Sequence, residues 1–449
     1  MGAGNKRLFG TDGIRGVANT ELTPELALSV GRAAAIALGN SASRPRFVLA
    51  RDTRMSGEML ESALAAGLLS AGADVIRCEV LPTPAVAFLV TQTRASAGAV
   101  ISASHNPVDD NGIKFFGADG YKLSEAEEAK IESGVNGASD RPTGADVGRL
   151  DFLPEGPELY IDHALTALEP VNLRGLKVVV DCAFGAAFFT TPEALRRAGA
   201  EVIELHCEPD GARINVASGS AAPGLVAEEV LRTGADAGLA HDGDADRVIA
   251  IDEAGAIVDG DTMIAVLAIE LKQADRLKNN IVVATVMANL GFRAAMSEAE
   301  IEVIETAVGD RNVLQAMLTS GSVIGGEQSG HVILLDHATT GDGLIAGLKL
   351  LGRMASTGRK LSELASIVKK FPQVLLNVAV GDRDGLEAAE RIWETVRSVE
   401  SQMRGAGRVL VRASGTEPLI RVMVETKEMS DAEDAAQKIA GVITEELGR

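Results

Sequence analysis

The sequence predicts an α/β protein: three similar α/β domains with mixed, mainly parallel sheets, followed by a C-terminal α+β domain. Three observations carry that prediction. Short β-branched runs alternate with helical patterns in three successive rounds. Each round ends in a polar loop that leaves a strand, where open α/β sheets place their ligands. Beyond about residue 368 the rhythm changes, with long strands beside two long helices.

In the first round, Thr23-Pro24 reads as an N-cap with proline in the first turn, opening a helix to about Leu38. Strands are expected at Phe47–Ala50, Val75–Val80 and Ala99–Ser102, with helices at Ser56–Ala71 and Pro84–Thr91. The second round runs Lys177–Val180, helix Thr191–Ala198, strand Glu201–Leu205, helix Leu225–Thr233, strand Ala237–Ala240. The third comprises Ile281–Val286, a helix near Phe292–Glu300, Glu302–Thr306, a helix near Asn312–Thr319, and Val323–Gly325. The last domain is read as strand Val374–Val380, a helix around Leu386–Met403, strands Arg408–Arg412 and Ile420–Glu425, and a helix from Asp431. The expected domains are 1–155, 156–258, 259–368 and 369–449.

A chain of 449 residues with 46% hydrophobic content can bury several cores. Its formal charge of −20 argues against nucleic acid as a partner, but not against an anionic substrate held by local arginines. Cys78, Cys182 and Cys207 match no metal spacing and suit a reducing compartment. The first nine residues hold no signal-type apolar core, and position 6, where myristoylation needs Ser or Thr, is Lys. No stretch approaches eighteen uninterrupted apolar residues, so a cytoplasmic protein without a membrane partner is expected.

Each polar loop carries its own chemistry. Ala103-Ser104-His105-Asn106-Pro107 sets a lone hydroxyl beside a histidine in a loop stiffened by proline, with Lys114 within reach along the chain. Ser102 is the competing hydroxyl, better placed as part of the strand. Asp242-Gly243-Asp244-Ala245-Asp246-Arg247 offers carboxylates at alternate positions, an all-oxygen set suited to Mg²⁺. A calcium loop is the rival, since Glu253 falls at the twelfth position. Against it, the sixth position needs glycine and is Arg247, and Val248–Ile251 is strand-like. Glu327, Ser329 and His331 alternate through a glycine-rich loop, a pattern suited to sugar hydroxyls and proton transfer. Arg412-Ala413-Ser414-Gly415-Thr416-Glu417-Pro418 with Arg421 collects phosphate-binding donors without the spacing of a Walker loop. Phe9 to Gly16 adds Arg15 on a glycine-rich segment. His163, His206 and His337 show no partner pattern.

The four motifs, in this order and across essentially the whole chain, resemble the α-D-phosphohexomutase superfamily. The opening Phe-Gly-Thr-Asp-Gly-Ile-Arg-Gly and the glutamine of Gly-Glu-Gln-Ser-Gly-His favour its bacterial glucosamine branch over phosphomannomutases and phosphoglucomutases. The resemblance implies a heart-shaped, four-domain molecule around a central cleft. It implies a phosphorylated Ser104, required for activity, and Mg²⁺ on Asp242, Asp244 and Asp246 with the Ser104 phosphate as a further ligand. His105, Lys114, Arg247 and His331 would act in catalysis, with Lys114 or His331 as the base. Glu327 and Ser329 would read the sugar, Arg15 would bind substrate through a phosphate, and Arg412, Ser414, Gly415, Thr416 and Arg421 would hold the phosphate that is not reacting. The implied reaction interconverts glucosamine 6-phosphate and glucosamine 1-phosphate through glucosamine 1,6-bisphosphate, which also serves as primer, and feeds UDP-N-acetylglucosamine and cell-wall precursor synthesis. The protein would be a monomer or homodimer. The alternatives are a phosphomannomutase or phosphoglucomutase, and a non-catalytic metal- or phosphosugar-binding protein on the same fold. Ala245, His241, Phe184 and Asn312 depart from the usual pattern, where glycine, an aromatic, asparagine and tyrosine are common; none is a proposed ligand.

Overall fold

The computed structural model describes residues 7–10, 12–39, 44–137, 141–403, 407–414 and 418–448. The chain forms two compact units, one of Met1–Met287 with Glu300–Ile367, the other of Ala288–Ala299 with Val368–Arg449. The first unit contains three sheets and the second contains one.

The first sheet has the order β1-β5-β4-β2-β3-β6, from β1 (Ile14–Val17), β2 (Arg46–Arg51), β3 (Asp74–Val80), β4 (Ala97–Ile101), β5 (Asp110–Gly117) and β6 (Leu150–Phe152). Strands β2, β3, β4 and β6 run parallel, whereas β5 returns antiparallel to β4 and pairs with β1. Its helices are α1 (Pro24–Leu38), α2 (Gly57–Ser70), α3 (Thr83–Thr93) and α4 (Glu125–Gly134). As expected, Thr23 caps α1, its hydroxyl accepting from Leu26 N–H, with Pro24 in the first turn. Ser124 and Glu127 form a capping box on α4. The interiors of β2, β4 and β5 are fully buried under the helices, whereas β3 is half-buried and the edge strand β6 is exposed.

The second sheet, β11-β10-β9-β7-β8, is built from β7 (Lys177–Asp181), β8 (Glu201–Leu205), β9 (Ala237–His241), β10 (Val248–Asp252) and β11 (Ile257–Val258). Helices α5 (Gly156–Thr166), α6 (Thr190–Arg197) and α7 (Gly224–Thr233) accompany it. The third sheet, β13-β12-β14-β15, contains β12 (Ile281–Thr285), β13 (Glu302–Thr306), β14 (Ile324–Gly326) and β15 (Val332–Leu334). Helices α8 (Gly260–Gln273), α10 (Asp310–Ser320), α11 (Gly343–Thr357) and α12 (Leu361–Ala365) complete this unit. In all three sheets one device recurs: a parallel strand ends in a short loop and the chain returns antiparallel, as β4–β5, β9–β10 and β14–β15.

The second unit holds an antiparallel sheet, β16-β18-β17, of β16 (Gln373–Ala379), β17 (Gly407–Ala413) and β18 (Leu419–Thr426), with α13 (Glu390–Met403) and α14 (Met429–Leu447). Its core draws on both helices and the sheet, including Ile392, Val396, Ile420, Val422, Ile439 and Ile443. The helix α9 (Leu290–Glu298) belongs to it as well. Its capping Asn289 donates to Phe371 O and Glu425 Oε1, both at 3.0 Å, and Glu425 is paired with Arg408 at 2.7 Å. The helix expected at Leu386–Met403 is interrupted: a 3₁₀ turn at Asp384–Ala388 stops at Ala389 (φ −79°, ψ 79°), and α13 starts anew. No helix among the described residues is long and apolar enough to cross a membrane.

Candidate active site

The three recurring strand-loop-strand connections carry Ser104, the aspartate run and the Glu327–His331 run. At the first, β4 stops at Ile101, and Ser102 turns inward instead of continuing the strand. Its buried hydroxyl donates to Asp52 Oδ2 at 2.7 Å and accepts from the Ser104 N–H at 2.9 Å. Ser104 then adopts a left-handed conformation (φ 53°), uncommon for a residue with a side chain and held here by its surroundings. The buried Ser104 Oγ donates to Asp242 Oδ2 at 2.5 Å and lies 3.4 Å from His105 Nδ1. The hydroxyl and the carboxylates, 138 residues apart, therefore meet in one site.

Asp242, Asp244 and Asp246 are all buried, and each places a carboxylate oxygen within 4.8 Å of the other two. Thr83, at the start of α3, donates its hydroxyl to Asp244 Oδ2 at 2.6 Å, and its N–H takes the Asp244 carbonyl at 2.9 Å. Lys114, on β5, reaches Asp244 Oδ2 at 2.9 Å, Asp246 Oδ2 at 3.4 Å and Asp12 Oδ2 at 3.3 Å. Burial and the neighbouring Asp246 and Asp244 charges push the Asp242 carboxyl well above the usual range. Burial opposes ionisation of Asp244 too, but Lys114 and the Thr83 hydrogen bond outweigh it and lower its pKa. Asp244 Oδ1 and Asp246 Oδ1 are buried without a hydrogen-bond partner. Buried carboxylate oxygens are costly to leave unpaired, so these orphans in an all-oxygen cluster fit a hard divalent cation such as Mg²⁺.

Around this centre, Arg247 lies with Nε 3.8 Å from Asp246 Oδ1, and its backbone N–H donates to Asp242 Oδ1 at 3.2 Å. The Glu327 charge acts on the Arg247 guanidinium. Arg15 donates to Asn106 Oδ1 at 2.9 Å and pairs with Asp12. His105 is exposed on the serine loop. The third loop packs against the second, since Val248 N–H donates to Gly330 O at 3.1 Å. Glu327 Oε1 accepts from Gly309 N–H at 3.0 Å, and Ser329 is exposed. His331 is buried, with Nε2 4.0 Å from Asp310 Oδ2 and neither ring nitrogen hydrogen-bonded.

Lys122 ties these groups together: Nζ pairs with Asp12 Oδ1 at 2.6 Å and also with Asp310. Asp12 thereby sits between two lysines, which, with Arg15, hold its carboxyl well below the usual range against the effect of burial.

In the second unit, Arg412 and Arg421 stand directly opposite each other on β17 and β18. Ser414 is buried beside them, its N–H bonded to Leu419 O at 2.9 Å. Gly415 and Thr416 lie outside the described residues.

Several roles in this site are not given by motif reading. Asp12, inside the Phe9–Gly16 run but assigned no role there, forms a charge bridge with Lys122 and Asp310, and Thr83 holds Asp244. Arg54, fully buried, donates Nε to Asp52 Oδ2 at 2.9 Å. Its Nη2 reaches the Ser104 and Asn106 carbonyls at 3.0 and 2.9 Å, and Nη1 reaches Asp110 O at 3.0 Å and Pro107 O. A guanidinium with fixed donor geometry suits such a set of carbonyls. Its only signal in the sequence is a lone Asp-x-Arg after a strand.

Comparison with known proteins bears directly on this geometry. Models of the phosphoglucomutase/phosphomannomutase family match in order: alpha/beta/alpha domain I at residues 6–141, domain II at 158–255, domain III at 259–371 and the C-terminal domain at 375–442. A phosphoglucosamine mutase from Acidothermus cellulolyticus is 51% identical over 450 residues, covering 99% of this chain and 97% of the relative. A phosphoglucomutase/phosphomannomutase family protein from Burkholderia thailandensis superposes with a TM-score of 0.82 at 24% identity, covering 98% of this chain and 97% of the other. The Aspergillus fumigatus N-acetylphosphoglucosamine mutase, solved with GlcNAc-6P and magnesium, superposes with a TM-score of 0.68 at 18% identity over 98% and 95% of the two chains. With the serine, the aspartate trio and all four domain models present in order, the chain belongs to the phosphoglucomutase/phosphomannomutase family, the α-D-phosphohexomutases.

Proposed function

We infer that the chain interconverts glucosamine 6-phosphate and glucosamine 1-phosphate, with Ser104 as the phosphate carrier. The observation that carries this reading is the Ser104 hydroxyl, 2.5 Å from a carboxylate of a buried three-aspartate cluster. The activity named for the half-identical Acidothermus cellulolyticus relative selects the amino sugar. We assign residues 1–155 to the serine domain, 156–258 to the metal domain, 259–368 to the sugar domain and 369–449 to the phosphate domain.

Asp242, Asp244 and Asp246 would hold Mg²⁺, which when bound neutralises charge on the reacting phosphoryl group. In the first half-reaction the sugar O1 attacks the phosphorus of phospho-Ser104. The O1–P bond forms, the Oγ–P bond breaks, and the hydroxyl proton passes to a base, for which Lys114 and His331 are the candidates. The bisphosphate then presents its 6-phosphate: Ser104 Oγ attacks that phosphorus, the Oγ–P bond forms, the P–O6 bond breaks, and O6 leaves with the proton that the base had taken. Arg247 balances the negative charge that accumulates, joined by the Lys114 ammonium where His331 is the base, while Glu327, Ser329 and Arg15 hold the sugar phosphate. His105 borders the reacting oxygen. Arg412, Ser414, Gly415, Thr416 and Arg421 are assigned the phosphate that does not react. The three free cysteines fit a cytoplasmic setting.

The test is phosphopeptide mapping of the resting protein together with a coupled assay on glucosamine 6-phosphate. Phosphate on Ser104, and loss of turnover in Ser104→Ala with an unchanged melting profile, are the expected results. Phosphate on Ser102 would overturn the carrier assignment. A higher kcat/KM for glucose 1-phosphate than for the amino sugar would overturn the substrate.

A further inference from the structure

We propose that Asn215 is a positioning residue for phosphoryl transfer: reaching over from the segment between β8 and α7, it grips the backbone carbonyl of Ser104 and fixes the phosphorylated loop over the aspartate cluster. The proposal rests on Ser104 being the phosphate carrier. Asn215 Nδ2 donates to Ser104 O at 2.8 Å and to Asn106 O at 3.3 Å. Arg54 Nη2 takes the same two carbonyls, at 3.0 and 2.9 Å. The loop is thus gripped between a donor from the sheet that carries the serine and a donor from the sheet that carries the aspartates.

The third member of this contact is Gly243, inside the aspartate run. A Cβ there would lie 2.7 Å from Ser104 O and 2.9 Å from Asn215 Nδ2, so the metal loop, the serine carbonyl and the Asn215 amide occupy one close-packed point. Asn215 is itself left-handed (φ 61°), a conformation that asparagine accepts more readily than most residues, and its N–H is anchored on Ala183 O at 3.0 Å.

The chemistry explains why a backbone grip matters here. In the resting hydroxyl form, Ser104 is also tied to the aspartates through its own Oγ–H. Phosphorylation removes that proton and sets an anion beside the carboxylates, so the direct hydrogen bond from Oγ to Asp242 is lost. The Asn215 bonds go to main-chain oxygens and are indifferent to the state of the side chain. They persist through both half-reactions and hold the phosphorus where an incoming hydroxyl can meet it.

The experiment compares Asn215→Asp, Asn215→Gly and Asn215→His in the full-length phosphorylated protein. Asp keeps the size and the tolerance for positive φ but turns a donor into an anion facing two carbonyls. Gly deletes the side chain without backbone strain, and His retains both an N–H donor and the φ tolerance. The expected result is a loss of about 10- to 100-fold in kcat for Asp and Gly, the scale on which misplaced reacting groups act. KM for glucosamine 6-phosphate should stay within about twofold, with His recovering most of the rate. Amide hydrogen exchange over residues 103–110 should quicken in Asp and Gly but not in His. Wild-type kcat in Asp and Gly, a loss carried by KM, or His as impaired as Asp would each overturn the proposal. If Gly fails to fold, the comparison of Asp with His decides alone. Phosphopeptide mapping of the wild type keeps the two readings apart. Phosphate elsewhere than Ser104 removes the carrier, whereas phosphate on Ser104 with indifferent Asn215 variants removes only the positioning role.

Discussion

Asp342 is a buried carboxylate whose ionisation costs the folded chain stability, and replacing it with asparagine is expected to stabilise the protein at neutral pH. The residue caps α11: its Oδ1 accepts from Ile345 N–H at 2.9 Å, and the Tyr160 hydroxyl donates to both oxygens at 2.9 Å. Those bonds favour the ionised form, yet burial outweighs them and raises the pKa from 3.8 to about 6. A folded pKa above the unfolded one means that the native state binds the proton more tightly. The group's stabilising contribution is therefore complete below about pH 4 and is lost as pH rises through about 6. At about 1.4 kcal/mol per pH unit, the loss amounts to roughly 3 kcal/mol at pH 7.5. Asparagine reproduces the neutral acid: Oδ1 takes Ile345 N–H and Tyr160 OH, Nδ2 faces the Tyr160 oxygen, and it caps helices as well as aspartate does. Asp342→Asn should raise the urea midpoint at pH 7.5 by the equivalent of about 1–3 kcal/mol and leave it nearly unchanged at pH 4. A variant no more stable than wild type at pH 7.5, or a gap equal at both pH values, would refute the reasoning.

Three further substitutions probe the site. Thr83→Val removes the hydroxyl that holds Asp244 Oδ2 and should weaken Mg²⁺ binding about 10- to 100-fold, read by calorimetry or by Mn²⁺ titration; unchanged affinity would remove Thr83 from the metal site. Gly185→Ala drives a Cβ into the Gly243 carbonyl, so the metal loop must shift, with a stability loss of about 1–3 kcal/mol and a lower kcat. A wild-type melt and rate would show that the two loops are not in close contact. Gly341→Ala places a Cβ against the His331 ring and should lower kcat about 10-fold while leaving Mg²⁺ affinity unchanged; full activity would exclude His331 from proton transfer.

What the sequence made legible was local. The Ser104 and Asp242–Arg247 loops could be read because strand-ending turns and alternating carboxylates are written in a few neighbouring residues. Strands such as β8 and β13 were legible from β-branched alternation, at their observed bounds of Glu201–Leu205 and Glu302–Thr306. Helices α8 and α11 were not: nearly every face is buried, so no polar stripe marks a helical period. The return strand β5 was masked by Asn111, Gly112 and Lys114, polar or small residues in mid-strand, of which Lys114 reaches the aspartates. Arg54 and Asn215 escaped for a different reason. Their neighbours in sequence say nothing of their burial or of the carbonyls they meet, which come from 50 to 111 residues away.

The same distinction bears on how three buried carboxylates survive in one cluster. Asp242, Asp244 and Asp246 together would be prohibitively costly if each were left to itself. The chain spreads the compensation over donors from several elements, some inside the motifs and some, such as Thr83, outside them. Ser104 Oγ–H and Arg247 N–H serve Asp242, Thr83 and Lys114 serve Asp244, and Lys114 reaches Asp246 as well. Lys114 is in turn shared with Asp12, and Asp12 with Lys122 and Arg15, so positive and negative groups alternate outward from the aspartates towards Asp310 and His331. The oxygens this network leaves without a donor are Asp244 Oδ1 and Asp246 Oδ1, one on each of two neighbouring aspartates. Every other oxygen of the trio has a donor, so these two are the ones a bound cation would satisfy, while the Ser104 hydroxyl is held on Asp242.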